Sequence, residues 1–320
     1  NGKSVVPLLS GMACAIPAVM ATRGINNWKE RLITILVTPF MTCSARLPVY
    51  TILIALVIPQ TRVFGFISLQ GLMLMALYLF GFVMAILAAL VFSRILKSKR
   101  KGYLIMEMPP YKIPQGRNVA MTIIEKVKSF VFTAGKIIVA ISIVLWVLAS
   151  YGPSGRIERA VVEVEEMSVA NEWDDEKTDV KLVAARLENS YMGIFGKSIE
   201  PAIKPLGYDW KIGIALLSSF AAREVFVGTM ATIYSVGDTE NELGVKAQMA
   251  KDVDPETGEP RFTFAVAISL LIFYALAMQC MSTMAVVYRE TNGWKWPLIQ
   301  FAYMTGLAYI LSLIAYQVLK

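Results

Sequence analysis

The sequence predicts an all-α fold: a polytopic membrane helical bundle with two internal repeats that contain discontinuous or re-entrant helices. Hydrophobic residues make up 56% of the chain and charged residues only 17%. The mean hydropathy of +0.56 also exceeds that of ordinary globular domains. Several nearly uncharged stretches reach the about 20 residues that a helix needs to cross a bilayer, so we expect about seven membrane segments. The stretches are residues 32–46, 47–60, 63–92, 137–151, 212–222, 262–288 and 296–319.

The first repeat, residues 1–93, contains two segments in which glycine or proline interrupts an apolar run. One interruption lies at Gly11–Pro17 and the other at Pro39–Pro48. Broken backbone at membrane depth is tolerated only where it is buried in protein or lines a water-filled cavity. We therefore predict discontinuous helices at both places.

Residues 94–130 are predicted to form a basic loop followed by an interfacial helix. Nine Lys or Arg lie between Arg94 and Lys128, against two acidic residues. Cytoplasmic loops of membrane proteins carry such an excess, so we place this loop in the cytoplasm. A nucleic-acid-binding patch is the less favoured interpretation, and no nucleic acid is expected as a partner. Residues 118–130 have the pattern of an amphipathic helix at the membrane surface.

The next two segments follow from that orientation. One membrane span, residues 131–150, separates the basic loop from an acidic segment, residues 151–208, which we therefore place in the periplasm. Between residues 151 and 190 there are ten Asp or Glu against five Lys or Arg. The charged run 156–187 is typical of one or two polar surface helices.

The second repeat, residues 209–320, has landmarks in the same order as the first. Residues 217–221 are similar to residues 9–13, and a Met-x-Cys sequence occurs at 41–43 and again at 278–280. Chance similarity between apolar stretches is common, but the shared order favours a true repeat. Paired broken segments in two halves indicate a transport site near the middle of the bilayer.

The small residues at Ser218–Glu224 predict the third discontinuous helix. Two topologies follow for the segment that contains it. If residues 212–234 re-enter the membrane, the two halves have opposite topology and the loop 237–261 lies outside. If the same residues cross the membrane, the halves run parallel; re-entry is weakly favoured.

The three cysteines are candidate metal ligands. Cys14, Cys43 and Cys280 lie in apolar stretches, have no CxxC spacing and occur in a chain without histidine. A single buried cysteine is more often an inert packing residue. Their joint placement, with Cys43 and Cys280 at equivalent repeat positions, instead suggests a path for Fe²⁺ or Zn²⁺, which accept sulfur ligands better than Mg²⁺ does. The neighbouring path residues are Met41, Thr42, Met278 and Gln279.

Three charged residues lie close to the predicted breaks. Arg46, Arg223 and Glu224 adjoin apolar runs, and charge inside a membrane is a functional hypothesis by default. They are interpreted as a gating or a structural ion pair; the arginines could also cap backbone carbonyls, and Arg46 could set an electrostatic barrier in a pore. No catalytic arrangement is present in the sequence, so no enzymatic activity is expected of this chain.

Four stretches resemble the membrane region of the ferrous-iron transport protein B (FeoB) family. Residues 10–23 and 30–50 are similar to its first gate region, and residues 218–230 to its second. Residues 277–283 are similar to the cysteine-bearing helix that follows the second gate. The resemblance implies two gate repeats in a multi-pass protein of the bacterial inner membrane, with Fe²⁺ as the transported substrate and the three cysteines as its path.

The resemblance also implies partners beyond the lipid bilayer and ferrous iron. Members of the family carry an N-terminal cytoplasmic G domain that binds and hydrolyses GTP with Mg²⁺, so we expect this chain, which opens on Asn1 next to an apolar run, to be part of a longer protein. No residue here is assigned to nucleotide or cofactor binding. Small cytoplasmic accessory proteins and a homo-oligomer are the other expected partners.

Two alternative functions are kept open. Gate-type repeats also resemble those of nucleoside transporters, although such a site would need aromatic and hydrogen-bonding side chains, whereas the breaks here offer small residues, methionine and cysteine. A non-transporting membrane sensor or scaffold could bind a partner through residues 151–208. Paired breaks would have no purpose in that case.

Overall fold

The computed structural model is built almost entirely of helices, which confirms the predicted all-α class. Two very short strands, Arg62–Val63 and Ile67–Ser68, form an antiparallel ribbon in which Arg62 pairs with Ser68 and Val63 with Ile67. Most of the basic loop and almost all of the loop 237–261 lie outside the described residues. The structure describes residues 2–59, 61–63, 67–96, 115–153, 155–170, 175–220, 222–234, 249 and 260–320.

The first 60 residues form two interrupted helices, as predicted. The breaks at residues 12–14 and 38–46 coincide with the Gly/Pro-rich segments, and the second contains two short 3₁₀ turns, Thr38–Phe40 and Ser44–Arg46. The four helices are α1 (Gly2–Gly11), α2 (Ala15–Ala21), α3 (Trp28–Val37) and α4 (Leu47–Val57).

The middle of the chain contains one long apolar helix and a series of shorter ones. Two of these cover the acidic run that was predicted to form surface helices. Ser190 caps the helix that follows them, because its hydroxyl accepts a hydrogen bond from Gly193 N at 3.2 Å. The helices are α5 (Leu69–Ile95), α6 (Gly116–Phe130), α7 (Lys136–Ser150), α8 (Arg156–Ala170), α9 (Asp175–Glu188) and α10 (Tyr191–Ile203).

The last third repeats the arrangement of the first, with a helix, a break and a helix occurring twice. The break at residues 219–224 was predicted, whereas the break at residues 277–280 was not. The expectation that Cys280 lies on a helix is wrong, because the chain leaves the helix at Leu276 and resumes it at Met281. The helices are α11 (Trp210–Ser218), α12 (Val225–Ile233), α13 (Phe264–Leu276), α14 (Met281–Thr291) and α15 (Lys295–Leu319).

Side-chain caps begin the helices that lead into three of the breaks. Asn27 accepts a hydrogen bond from Lys29 N at the start of α3, and Asp209 accepts one from Ile212 N at the start of α11. Thr263 does the same for Val266 N at the start of α13. Each cap satisfies a backbone donor that has no partner within the helix.

Four helical stretches in the described part of the chain are long and apolar enough to cross a membrane. They are Trp28–Val57, Leu69–Ile95, Phe264–Thr291 and Lys295–Leu319, and Lys136–Ser150 is a shorter apolar helix. The first and third of these stretches each contain one of the breaks. The chain is therefore a multi-pass membrane protein.

The chain divides into two compact units. The first comprises residues 1–44, 80–141 and 281–302, and the second residues 45–79, 142–280 and 303–320. The core of the first unit brings together α2, α3 and α14 through Ile16, Val19, Ile35, Val286 and Val287. The core of the second is built on Met192, Ile214 and Ile233.

Candidate metal path at the helix breaks

Cys14 occupies the break between α1 and α2. Its backbone is extended (φ −155°, ψ 135°) and it precedes the first residue of α2. The half-buried thiol side chain packs against the core of the first unit, which includes Ile16 and Val19. Cys14 is therefore an extended residue between two short helices, with its side chain next to the core of the first unit.

Met41, Thr42 and Cys43 occupy the second break, in the same unit. Met41 and Thr42 are buried and Cys43 is half-buried. The Thr42 hydroxyl has no hydrogen-bond partner among the residues that the structure describes, although Thr42 is only 3% exposed. A buried hydroxyl without a partner costs about 1–3 kcal/mol of desolvation. The Thr42 hydroxyl is therefore available for a further interaction, next to the sulfur-containing residues Met41 and Cys43.

The structure joins these two breaks directly. Both the backbone N–H and the hydroxyl of Ser44 donate to the carbonyl oxygen of Ala13, at 3.4 and 3.0 Å. The residue after Cys43 is thus bonded to the residue before Cys14. A Cβ atom at Gly11 would lie 3.4 Å from Cβ of Met41, so the end of α1 packs closely on the second break.

Gln300 closes the end of α3, just before the second break. Its side-chain Nε2 donates to the carbonyl oxygens of Ile35 and Leu36, both at 3.1 Å. These carbonyls belong to the last turn of α3, where carbonyl oxygens have no N–H partner within the helix. Gln300 was not predicted from the sequence, although an amide within the apolar helix α15 is a signal of a functional or structural polar group.

Arg223 plays the corresponding part in the second unit, where it closes the end of α13. Its guanidinium donates to the carbonyl oxygens of Tyr274 at 3.4 Å and Ala277 at 3.1 Å. Arg223 is buried and Glu224 is exposed, and within the described residues the two side chains form no ion pair with each other. Arg223 thus caps backbone carbonyls, which is one of the roles considered for it from the sequence.

Met278, Gln279 and Cys280 lie in the break that Arg223 closes. Met278 and Gln279 are fully buried and Cys280 is half-buried. Neither the amide oxygen nor the amide nitrogen of Gln279 has a hydrogen-bond partner in the part of the chain that is described. Arg46, the last of the predicted site residues, is completely buried at the start of α4.

The breaks therefore hold sulfur and neutral polar groups together with the charged residues Arg46, Arg223 and Glu224. Over the described ranges there is no group of three or more His, Cys, Asp or Glu side chains that could hold a metal ion. All three cysteines are described and none of them forms a disulfide.

A buried ion cluster that the sequence analysis did not find lies at the other end of α14. The Glu290 carboxylate, 3% exposed, bonds to Arg23 and to Arg31 at 2.5 Å each. Its hydrogen bonds raise the pKa of Arg23 above the usual value. Arg31 also lies over the ring of Trp28 at 5.7 Å. The cluster ties the beginning of α3 and the end of α2 to α14, within the first unit.

Two family profiles match the chain. The Gate family, described as nucleoside recognition, matches residues 1–57 and 131–294, which is more than half of the chain. The C terminus of ferrous iron transport protein B matches residues 74–126, between the two parts of the Gate match.

Curated relatives match over almost the whole chain. A protein of Leptospira interrogans named Fe(2+) transporter FeoB is 44% identical over 99% of this chain and 43% of its own length. Its namesake in Methanocaldococcus jannaschii is 34% identical over 98% of the chain and 41% of its own length. A Porphyromonas gingivalis protein named Fe(2+) transport protein A/Fe(2+) transporter FeoB fusion protein is 34% identical over 99% and 38%.

The chain thus spans less than half the length of these relatives. No solved structure matches it. The Gate and FeoB C-terminal profiles together cover nearly all of its helices, and FeoB-named relatives align with it from end to end. The chain therefore belongs to the FeoB family, of which it represents the Gate-containing membrane region.

Proposed function

We propose that this chain is a membrane transport region that moves ferrous iron into the bacterial cell. The observation that carries the proposal is the bonding of Ser44 to Ala13, which brings the Cys14 and Cys43 breaks together inside a membrane protein. Relatives named as Fe(2+) transporters support the choice of cation. Fe²⁺ accepts sulfur ligands more readily than Mg²⁺ does, which gives the cysteines a reason to lie at the breaks.

The polar groups beside the sulfurs support a path rather than a closed site. Among the residues that the structure describes, Thr42 and Gln279 each keep buried polar atoms without hydrogen-bond partners, and such groups are usually satisfied in native proteins. A passing cation with its remaining water would satisfy them transiently. Met41 and Met278, two residues before Cys43 and Cys280, add thioether sulfur at each break.

Two gate repeats are the second part of the proposal, with boundaries at 1–93 and 209–320. Each half contains a helix, a break and a helix, followed by a second set in which the break carries Met-x-Cys. The end of α3 is closed by Gln300 and that of α13 by Arg223. This likeness supports Cys280 as the partner of Cys43 along the path, and Arg46, Arg223 and Glu224 as residues that control or support it.

The orientation follows the distribution of charge. The loop and interfacial helix at 94–130 face the cytoplasm, the span 131–150 crosses, and the acidic segment 151–208 faces the periplasm across the inner membrane. The Lys and Arg excess in the loop supports this assignment, because short cytoplasmic loops carry such an excess. The exposed apolar side chains Val119, Ile123 and Ile124 on α6 support its place at the membrane surface.

The remaining partners belong to the whole protein. We infer that transport is coupled to a cytoplasmic GTPase domain, which binds GTP and Mg²⁺ outside this chain. A relative named as a fusion with Fe(2+) transport protein A supports a small cytoplasmic accessory protein. A homo-oligomer is also proposed.

Uptake into vesicles tests the function directly. The full-length protein is reconstituted into liposomes, and entry of radioactive Fe²⁺ is followed with reductant present. Fe²⁺ should enter, Zn²⁺ should compete and excess Mg²⁺ should not. Entry of a labelled nucleoside, without entry of metal, would support the nucleoside permease instead. No uptake of either substrate would leave the sensor or scaffold function.

A further inference from the structure

Helix α5 approaches the Met41–Cys43 break at a glycine. A methyl group at Gly81 would lie 2.9 Å from Thr42 Oγ1 and 3.0 Å from the carbonyl oxygen of Phe40. Both distances are shorter than ordinary carbon–oxygen contacts. Gly81 is buried and lies close to the centre of this 27-residue apolar helix. Any side chain larger than that of glycine at residue 81 would therefore crowd these two oxygens.

Thr42 makes this close approach informative. Its hydroxyl is the buried polar atom that has no hydrogen-bond partner in the described residues. If Gly81 served helix packing alone, an apolar side chain at position 42 would pack there without the desolvation cost of a hydroxyl. An unsatisfied hydroxyl that no neighbouring Cβ atom covers keeps its oxygen available to a ligand.

We propose that Gly81 and Thr42 form an oxygen-bearing position on the ion path, where the Thr42 hydroxyl binds the divalent cation as it passes Cys43 and the absence of a side chain at Gly81 keeps α5 from crowding that oxygen. This inference rests on the proposed function and adds a specific residue pair to it. The sulfur of Cys43 and the oxygen of Thr42, adjacent in sequence, then offer the cation one soft and one hard neutral ligand. Neutral ligands hold a cation weakly, as release requires.

The first test fills the space. Gly81→Ala in the full-length protein should reduce the initial rate of Fe²⁺ uptake into proteoliposomes by on the order of 10-fold, the lower limit typical of disturbed metal surroundings. Gly306→Ala is the matched control, because Gly306 also lies in a long apolar helix and a Cβ atom there would meet nothing within 4 Å. Uptake by Gly81→Ala at the wild-type rate would overturn the proposal.

The second test separates ligand binding from packing. Thr42→Ser keeps the hydroxyl and should transport clearly faster than Thr42→Ala, which removes it. In the Thr42→Ala/Gly81→Ala double variant the clash with the hydroxyl is gone and only the close contact with the Phe40 carbonyl oxygen remains, so the apparent unfolding temperature should recover in part while uptake stays slow. Recovery of uptake in the double variant would show that Gly81 is a packing residue only.

The outcomes also distinguish this proposal from the function on which it rests. If wild-type protein transports Fe²⁺ and Cys43→Ser slows it, the path is supported. Rapid uptake by Thr42→Ala against that background would overturn the Gly81–Thr42 position alone. The Thr42 variants decide the question even if Gly81→Ala fails to fold, because Thr42→Ala introduces no clash.

Discussion

The guanidinium of Arg223 donates a hydrogen bond to the carbonyl oxygen of Ala277 at 3.1 Å, 54 residues away, where α13 ends and the Cys280 break begins. An arginine from one interrupted segment therefore holds the end of the next. The contact explains how a charged residue is accommodated between apolar runs, since the guanidinium satisfies carbonyls that a broken helix leaves without donors. It also couples the break at 219–224 to the one at 277–280, within the second unit.

Replacing Arg223 should destabilise the second unit. Arg223→Met keeps much of the apolar stem but removes the donors to Tyr274 and Ala277, and each buried carbonyl left without a partner costs about 1–3 kcal/mol. The apparent unfolding temperature of the purified protein in detergent should fall clearly. Glu224→Gln is the control for stability, because Glu224 is exposed. Equal unfolding temperatures for the two variants would contradict the capping role.

Gln300 should stabilise the first unit as Arg223 stabilises the second. Gln300→Leu preserves volume but removes the two hydrogen bonds to the end of α3, at a cost of about 1–3 kcal/mol for the carbonyls that lose their donor. Gln317→Leu, on the exposed end of the same helix, is the matched control. Thermal unfolding of both variants should show a loss only for Gln300→Leu. A similar result for the two would mean that the Ile35 and Leu36 carbonyls find other donors.

The Glu290 cluster should show a clear ranking of variants. Glu290→Gln leaves two arginines facing an uncharged amide, and breaking a buried pair typically costs about 3–5 kcal/mol. Arg23→Gln should cost less than about 1 kcal/mol, as exposed pairs do, because the Arg23 side chain is 53% exposed. The apparent unfolding temperatures of the two single variants and the double variant measure this. A larger loss for Arg23→Gln would contradict the cluster as described.

The cysteines should affect transport more than folding. Cys→Ser at Cys43 and Cys280 keeps the size and a polar atom but removes the soft ligand, so Fe²⁺ uptake per folded molecule should fall by on the order of 10-fold or more. Cys→Ala at the same positions separates packing from ligation, since pure packing residues would lower stability and leave the rate per folded molecule unchanged. Undiminished uptake by the serine double variant would move the path elsewhere, with Glu224 as the next candidate.

The orientation can be tested by labelling single cysteines in a background without the native three. Ser168→Cys, at a half-buried position of α8, should react with an impermeant thiol reagent added outside intact inner-membrane vesicles of periplasm-out orientation. Ser98→Cys, in the basic loop outside the described residues, should react only after the vesicles are opened. The reverse pattern would invert the proposed topology.

Local chemistry made three of the four breaks predictable. At residues 12–14 and 38–46 the nearby glycine or proline marks the interruption, and at 219–224 small and charged residues do so. The fourth break was missed because Ala277, Met278, Gln279 and Cys280 include neither glycine nor proline. Arg223 holds that break open through the carbonyls of Tyr274 and Ala277, and no pattern within residues 262–291 reveals this.

The sequence by itself determined the class of the protein, because apolar runs of membrane length have to form helices that satisfy their own backbone hydrogen bonds. It also determined where Cys14, Met41 and Cys43 stand relative to the interruptions, but not that Met278 and Cys280 lie in one. Only the tertiary structure decided which polar groups meet: Ser44 with Ala13, Gln300 with Leu36, Glu290 with Arg23, and Gly81 with Thr42. Each of these pairs is separated by at least 31 residues, so packing between helices, rather than local preference, selects the partner.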